Sequence, residues 1–250
     1  MVLEVFLDSV EIQNRKLVTN NLKFILDAHL FFLSKIVDDC LDSYKRFLAH
    51  EETIGNRELN HNFSAYANTL QSLKDALVTS LDIQITWTDL YKNNHYCEFI
   101  KQSRNAMTHD GLPIISMWAD GLFYVPMDIV RVDTKKKLET IKVPEEDILT
   151  VCLKFSCSLM KWLKELMINN EVNLLNYSLY DSLPYLQEFK PKIGMSDEVI
   201  KLLKSSIDNI DHDELKKHTL NPTKDIYEKI KEIQKKCLEN LNFLSFKSPH

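Results

Sequence analysis

Hydrophobic residues recur at helical spacing along most of the chain. In the first long segment they step by three and four positions and form one stripe that we expect to be buried: Leu22, Leu26, His29, Leu33, Ile36, Cys40, Tyr44 and Phe47. After a polar break over residues 51–60 the pattern resumes in a second stripe: Phe63, Tyr66, Leu70, Leu73, Leu77 and Leu81. These stripes predict two long helices that pack against each other.

A third, shorter helix is predicted over about residues 93–109. Its inward-facing residues are Tyr96, Phe99, Ile100 and Met107. Gly111 is suited to the left-handed conformation that ends many helices, and Pro113 prevents the helix from continuing.

A fourth helix is predicted to begin at Pro144, because proline is well suited to the first turn of a helix. The three acidic residues that follow it favour the positive end of the helix dipole. The apolar stripe of this helix comprises Ile148, Cys152, Phe155, Leu159, Trp162 and Leu166. The first 170 residues are therefore predicted to contain a bundle of four helices.

Between the third and fourth helices the pattern changes from helical to β. Residues 114–125 predict a hairpin, because Asp120-Gly121 at their centre is a strong signal for a two-residue turn. Residues 129–143 predict a second pair of strands. We expect a small β element inserted over about residues 113–143.

The last third of the chain is helical in pattern but less regular. Ser196 and Asn221-Pro222 are typical helix starts, and the second of them predicts a helix that extends to about Leu244. The predicted fold is thus mainly α, with a helical domain over residues 1–170 and a helical C-terminal extension over residues 171–250 packed on its core.

Composition removes several functional classes. The chain has only four glycines, and they are scattered, so it contains neither a dinucleotide-binding G-x-G-x-x-G loop nor a phosphate-binding P-loop. The five cysteines are odd in number and lie mostly on apolar faces, which predicts reduced thiols in a cytoplasmic protein. No apolar run approaches about 18 residues, so we expect no membrane-spanning segment.

Arg104, Asn105 and His109 stand out at the end of the third helix. Arginine carries a permanent charge and forks well onto phosphate oxygens, whereas histidine titrates near neutral pH and can move protons. Together they are sufficient for metal-free cleavage of RNA by the ribose 2′-hydroxyl. One group transfers a proton and the other neutralises the charge that develops on the phosphorane.

The spacing of these residues makes the site incomplete in one copy. Arg104 and His109 are five positions apart, about 140° around an ideal helix, so they share no face. Asn105 and His109 do share a face, and Asn105 could orient the imidazole. Two copies related by a two-fold axis could bring both pairs onto one phosphate. The alternative is that Arg104 and His109 cap the helix C-terminus, where cations are favoured by the dipole.

The string Arg104-Asn105-x-x-x-His109 resembles the R-N-x-x-x-H form of the Rx4–6H motif of the HEPN superfamily. The setting is also similar over residues 18–170: two long helices, a third helix that ends in the motif, and a fourth long helix. The β insertion of about thirty residues departs from that pattern. The resemblance implies a HEPN-like four-helix up-and-down bundle.

The resemblance also implies a function. Such proteins are homodimeric, metal-independent endoribonucleases that leave a 2′,3′-cyclic phosphate and a 5′-hydroxyl, and they recur among bacterial toxins and phage-defence proteins. By position, His109 would be the acid/base residue, Arg104 would stabilise the phosphate and Asn105 would order the site. No metal or cofactor is implied. Some relatives are non-catalytic, so an interaction, scaffold or antitoxin-type module is the alternative function.

A basic segment lies in the second predicted hairpin. It contains Arg131, Lys135, Lys136, Lys137 and Lys142 in a chain whose net charge is −5. Because the whole chain is acidic, any RNA contact needs such a local patch, and these cations could follow a phosphate backbone. The alternative is that lysines at a loop tip keep an edge strand from pairing with other chains. The acidic chain also leaves open a regulatory protein partner that activates the nuclease.

Overall fold

The computed structural model describes residues 2–52, 55–132, 136–171, 174–178, 196–209, 211, 214 and 217–245. Its elements in chain order are α1 (Val2–Leu48), α2 (Arg57–Leu81), α3 (Trp87–Asn93), α4 (Cys97–Asp110), β1 (Met117–Ala119), β2 (Leu122–Tyr124), β3 (Ile129–Val132), β4 (Leu138–Ile141), α5 (Ile148–Asn169), β5 (Tyr177–Ser178), α6 (Asp197–Asp208), β6 (Thr219–Leu220) and α7 (Pro222–Ser245). The mainly helical fold is confirmed.

The apolar stripes of α1, α2 and α5 build the core. Every residue of the α2 stripe is buried, and in the α1 stripe only Tyr44 and Phe47, at the end of the helix, are half-buried. The predicted stripe of α5 is buried up to Leu159, while Trp162 and Leu166 pack at the edge of the core. The period of three and four residues therefore identified the buried faces correctly.

Polar side chains join α1, α2 and α5 inside this core. The Thr69 hydroxyl donates to the carbonyl oxygen of Tyr66 (2.6 Å), so His29 Nδ1 donates to Thr69 Oγ1 (2.8 Å). The other ring nitrogen, Nε2, then accepts from the Ser156 hydroxyl at 2.9 Å. Both nitrogens of a neutral imidazole are satisfied, and burial lowers the pKa of His29 to about 3.

The C-terminal helix α7 shares this core. Its buried residues include Ile226, Ile230, Ile233 and Cys237, and the helix packs against α1 and α5. Both predicted helix starts are confirmed, since Ser196 Oγ accepts from the Val199 N–H and Asn221 Oδ1 accepts from the Thr223 N–H. A short antiparallel pair, β5 with β6, precedes α7 and was not predicted.

Two predicted helix boundaries are wrong. The fourth helix begins at Ile148 and not at Pro144, because Asp147 is the N-cap and its side chain accepts from the Thr150 N–H at 3.0 Å. The motif helix α4 begins at Cys97 and not at about Asn93, because Asn93 is the last residue of the separate short helix α3, which opens with a capping box between Thr86 and Asp89.

The β insertion forms two separate antiparallel hairpins, as predicted. In the first, Asp120 and Gly121 both have positive φ (52° and 82°), as a tight two-residue turn requires. A Cβ on Gly121 would lie 2.9 Å from Phe47 Cβ, so the turn packs closely on the end of α1. In the second hairpin, β3 and β4 place Arg131 opposite Glu139.

No helix in the described parts of the chain is both long enough and apolar enough to cross a membrane.

Candidate active site

The end of α4 is fixed by Gly111. Its φ of 66° and ψ of 21° are left-handed, as predicted, and its N–H bonds the carbonyl oxygen of Ala106. The N–H of Leu112 bonds the same oxygen at 3.2 Å. The Arg104-to-His109 motif therefore occupies the last two turns of a helix whose end has a defined geometry.

The exposed surface of α4 divides into two faces. One face carries residues spaced by three and four positions, and it turns towards β4: Glu98, Gln102, Asn105 and His109. The second face carries Lys101 and Arg104 and turns towards α2 and α3. Lys101 Nζ lies 5.3 Å from the ring centroid of Trp87 on α3.

Arg104 is held by two asparagines. Its Nε donates to Asn68 Oδ1 on α2 at 2.9 Å, and its Nη1 donates to Asn105 Oδ1 at 3.2 Å. The guanidinium is half-buried and makes no hydrogen bond to a helix-end carbonyl among the described residues. These two hydrogen bonds orient the guanidinium group of Arg104. They do not match the alternative in which Arg104 caps the C-terminus of the helix.

The hydrogen bonds of Arg104 continue across α4 to the second hairpin. Asn105 Nδ2 donates to Gln102 Oε1 at 3.3 Å, and Gln102 Nε2 donates to Glu139 Oε1 on β4. A chain of side chains thus connects α2, α4 and β4, and Arg104 lies within it.

His109 is exposed in the last turn of α4. Its imidazole makes no hydrogen bond with any residue in the described ranges, so the structure does not show Asn105 orienting it. On an ideal helix it lies about 7.5 Å along the axis from Arg104 and about 140° around it. The structure therefore brings Arg104 and Asn105 together within one chain but leaves His109 apart from Arg104.

The residue after His109 is fixed by Arg131 from β3. Arg131 Nε donates to Asp110 Oδ2 at 2.6 Å and Nη2 donates to Asp110 Oδ1 at 3.2 Å, while Nη1 donates to Glu139 Oε2 at 3.2 Å. The hydrogen bond from Arg131 lowers the pKa of Asp110 below its usual value. Through Arg131, the second hairpin thus holds the end of the helix that carries His109.

The residues of the predicted basic patch do not all face solvent in the structure, and Arg131 is the main exception. The Arg131 side chain is only 6% exposed and serves Asp110 and Glu139, so its guanidinium is not presented to solvent as a phosphate ligand. Lys136 and Lys137 are exposed beside the turn, and Lys135 lies outside the described residues. Lys142 pairs with Asp128.

Sequence reasoning missed the four partners that position the motif: Asn68, Gln102, Asp110 and Glu139. A signal existed for one pair, because a hairpin with its turn near residue 135 places Arg131 opposite Glu139. Asn68 has no such signal, since it meets Arg104 only through the packing of α2 on α4. Among the described residues, no cluster of three histidine, cysteine or carboxylate side chains could hold a metal ion.

Comparison of the chain with models of known protein families, with curated proteins and with solved structures finds no match.

Proposed function

We propose that the protein is a metal-independent endoribonuclease that acts as a homodimer, with Arg104 and His109 as catalytic residues and Asn105 in support. The observation that carries the proposal is an oriented guanidinium and an open imidazole within the last two turns of one helix. The same proposal includes a HEPN-like bundle and a role as a toxin or phage-defence effector. Both parts rest on the Arg104-to-His109 motif.

The chemistry follows from the two side chains. The His109 imidazole accepts the proton of the ribose 2′-hydroxyl, whose oxygen attacks the adjacent phosphorus. The P–O5′ bond breaks, the imidazolium formed in the first step donates its proton to the leaving 5′-oxygen, and a 2′,3′-cyclic phosphate and a 5′-hydroxyl remain. Arg104 neutralises charge on the phosphorane. Because Asn68 and Asn105 already hold its guanidinium, little reorganisation is needed when that charge develops.

A second copy supplies what one chain lacks. Arg104 and His109 diverge around α4, so one chain cannot direct both at the same phosphate without bending the helix. With a two-fold axis beside α4, the Arg104 of one protomer and the His109 of its partner can face a common phosphate.

A groove between α1 and α2 suits the partner copy. It has a volume of about 500 Å³, and its walls include Phe24 and Ala28 from α1 and Ala65 and Asn68 from α2. Phe24 is 59% exposed at the edge of this groove, and large exposed apolar side chains of this kind are typical of interfaces. Because Asn68 also holds Arg104, a copy bound in this groove would lie next to the motif.

The nuclease proposal is tested with purified full-length protein in EDTA at low salt, with total RNA and a defined tRNA as substrates. We expect wild type to leave 2′,3′-cyclic phosphate and 5′-hydroxyl ends, and we expect Arg104→Ala and His109→Ala to leave the RNA intact. Cleavage that persists unchanged in both variants would contradict the proposal.

The dimer surface is tested separately by light scattering. We expect Phe24→Glu to yield a folded monomer without ribonuclease activity, because a buried carboxylate at the interface is costly. Ile168→Glu is the matched control, since Ile168 is similarly exposed on α5. A Phe24→Glu protein that stays dimeric and active would place the interface elsewhere.

A non-catalytic interaction module is the second candidate, and one observation favours it. The outer face of the second hairpin exposes Val130, Val132 and Leu138, and Leu138 is 77% exposed. Contiguous apolar surface of this kind is typical of protein interfaces. If this candidate holds, the cellular phenotype of the protein survives His109→Ala and is lost in Leu138→Lys, whereas the nuclease predicts the reverse.

A further inference from the structure

A cavity lies beside the motif, between α4 and β4. It has a volume of about 250 Å³. Its apolar wall includes Phe99 from α4 and Ile141 from β4, both of them buried. Its polar lining includes Glu98, Gln102 and Thr140, together with His95 and Lys142. The cavity therefore combines an apolar interior with hydrogen-bonding groups at its mouth, as ligand pockets do.

The cavity shares a face of α4 with His109. Glu98, Gln102, Asn105 and His109 follow one another at spacings of four, three and four residues. From Gln102 to His109 the helix rises about 10 Å. An extended ligand bound along this face would occupy the cavity at one end and meet the imidazole of His109 at the other.

Gln102 connects the cavity to Arg104. It lines the cavity, receives the hydrogen bond of Asn105 and donates to Glu139. Asn105 in turn receives the Nη1–H of Arg104. A group that enters the cavity and touches Gln102 therefore contacts the same chain of hydrogen bonds that orients the guanidinium.

The size and charge of the cavity indicate its ligand. Its volume is below the range of about 300–1,000 Å³ that is usual for pockets that enclose a whole small molecule, so it fits one ring system of a larger ligand. Lys142 in the lining is already paired with Asp128, which leaves the negative charge of Glu98 at the rim, and the Glu98 carboxylate can accept from two adjacent N–H groups. Among the RNA bases, only guanine presents two neighbouring donors, N1–H and N2–H, on its Watson–Crick edge.

We propose that this cavity binds a guanine base of the RNA, next to the phosphate that is cleaved, with Glu98 accepting from the guanine edge and Phe99 and Ile141 packing against the ring. The proposal rests on the ribonuclease function above, and it gives that function a substrate preference. An unstacked base is the usual target of sequence-specific RNA recognition, and carboxylates read base amino groups.

The first arm of the test measures binding and needs no cleavage. Full-length protein is titrated by calorimetry with the 5′-monophosphates of guanosine, inosine, adenosine, cytidine and uridine. We expect the guanosine nucleotide to bind about 5- to 150-fold more tightly than the others, the gain typical of a two-donor base contact. Inosine, which lacks the 2-amino group, should lose most of that gain.

Glu98→Gln is the test variant and Glu165→Gln, an exposed carboxylate on α5, is its matched control. Glu98→Gln should remove the guanine preference by the same factor without lowering the melting temperature, because Glu98 is exposed. Glu165→Gln should leave nucleotide binding unchanged. Equal binding of all five nucleotides to wild type, or an unchanged preference in Glu98→Gln, overturns the guanine pocket.

The second arm uses RNA oligonucleotides that differ only in having guanosine, inosine or adenosine at one position. Faster cleavage beside guanosine that Glu98→Gln abolishes supports the proposal. Guanosine nucleotide binding with cleavage indifferent to the base would assign the pocket to a free nucleotide, and so overturn its role in reading the substrate. If RNA is cleaved but neither arm shows a preference for guanine, the guanine pocket is overturned and the nuclease proposal stands. If the guanosine nucleotide binds but no RNA is cleaved, the nuclease proposal is overturned and the cavity remains a guanine-binding site.

Discussion

Two histidines of this chain occupy opposite environments. His29 lies in the core, where Thr69 and Ser156 bond both of its ring nitrogens and burial lowers its pKa to about 3. His109 lies on the last turn of α4, exposed and without a hydrogen bond to the described residues. A histidine that is enclosed and satisfied on both nitrogens contributes to folding, whereas only an accessible imidazole can exchange protons with a substrate.

The largest effect that separates the two histidines is on catalysis. We expect His109→Ala to lower the rate of RNA cleavage by about 10²–10⁴-fold, the usual contribution of general acid–base catalysis. The melting temperature should stay close to that of wild type, because the side chain is exposed. Cleavage is followed in EDTA with an end-labelled oligonucleotide. A large drop in melting temperature would instead show that His109 has a structural role.

The corresponding substitution of His29 should lower the stability of the fold. His29→Ala leaves the hydroxyls of Thr69 and Ser156 without their common partner and opens a cavity between α1, α2 and α5. We expect a loss of about 3–5 kcal/mol in the free energy of unfolding, measured by urea denaturation. The control is Phe31→Ala, which removes an exposed ring from the same helix. Equal losses in the two variants would contradict the assigned role of the network.

The His29 environment also predicts a dependence of stability on pH. The folded-state pKa of His29 is lowered to about 3 from an ordinary value of 6.5, so between these values the unfolded chain binds one more proton. The stability contributed by neutral His29 is full above about pH 6.5. It falls as the pH drops towards 3, by up to about 1.4 kcal/mol per pH unit.

Comparison of wild type with His29→Gln isolates this contribution, because the other titrating groups are common to both proteins. The difference between their free energies of unfolding should shrink as the pH is lowered from 6.5. A difference that is constant across this range would mean that His29 is not buried as a neutral imidazole.

The smallest effect concerns the hydrogen bonds by which Arg131 holds the end of α4. Arg131→Lys keeps the charge but loses the two-pronged contact with Asp110 and the bond to Glu139. We expect cleavage to fall by less than about tenfold, well below the effect of His109→Ala, because Arg131 acts only through the position of the helix end. Lys154→Arg, on the exposed face of α5, is the control. A loss as large as that of His109→Ala would mean that Arg131 contacts the substrate.

Much of the fold could be predicted from the spacing of apolar residues. The stripes of α1, α2 and α5 and the Asp120-Gly121 turn follow from local rules, because burial and positive φ restrict which residues fit. The start of the fourth helix does not follow from the sequence, because Pro144 and Asp147 are both good helix starts and only the hydrogen bond that Asp147 accepts from the Thr150 N–H decides between them.

The surroundings of the motif were less accessible to sequence reasoning. Arg104, Asn105 and His109 could be singled out by residue type, but the contact between Arg104 and Asn68 depends on how two helices pack. The sequence predicts that Arg131 belongs with the nearby lysines, because they are neighbours along the chain. The fold instead turns its side chain inward to Asp110, twenty-one positions away.

The central claim is that Arg104 of one protomer and His109 of its partner act on one phosphate. The most direct measurement mixes the inactive Arg104→Ala and His109→Ala proteins after they have been dissociated and reassociated. Our account predicts that the mixture regains RNA cleavage, because each mixed dimer contains one intact arginine facing one intact histidine. Mixed dimers that form, as shown by differently tagged subunits, but remain inactive would contradict a site shared between two copies.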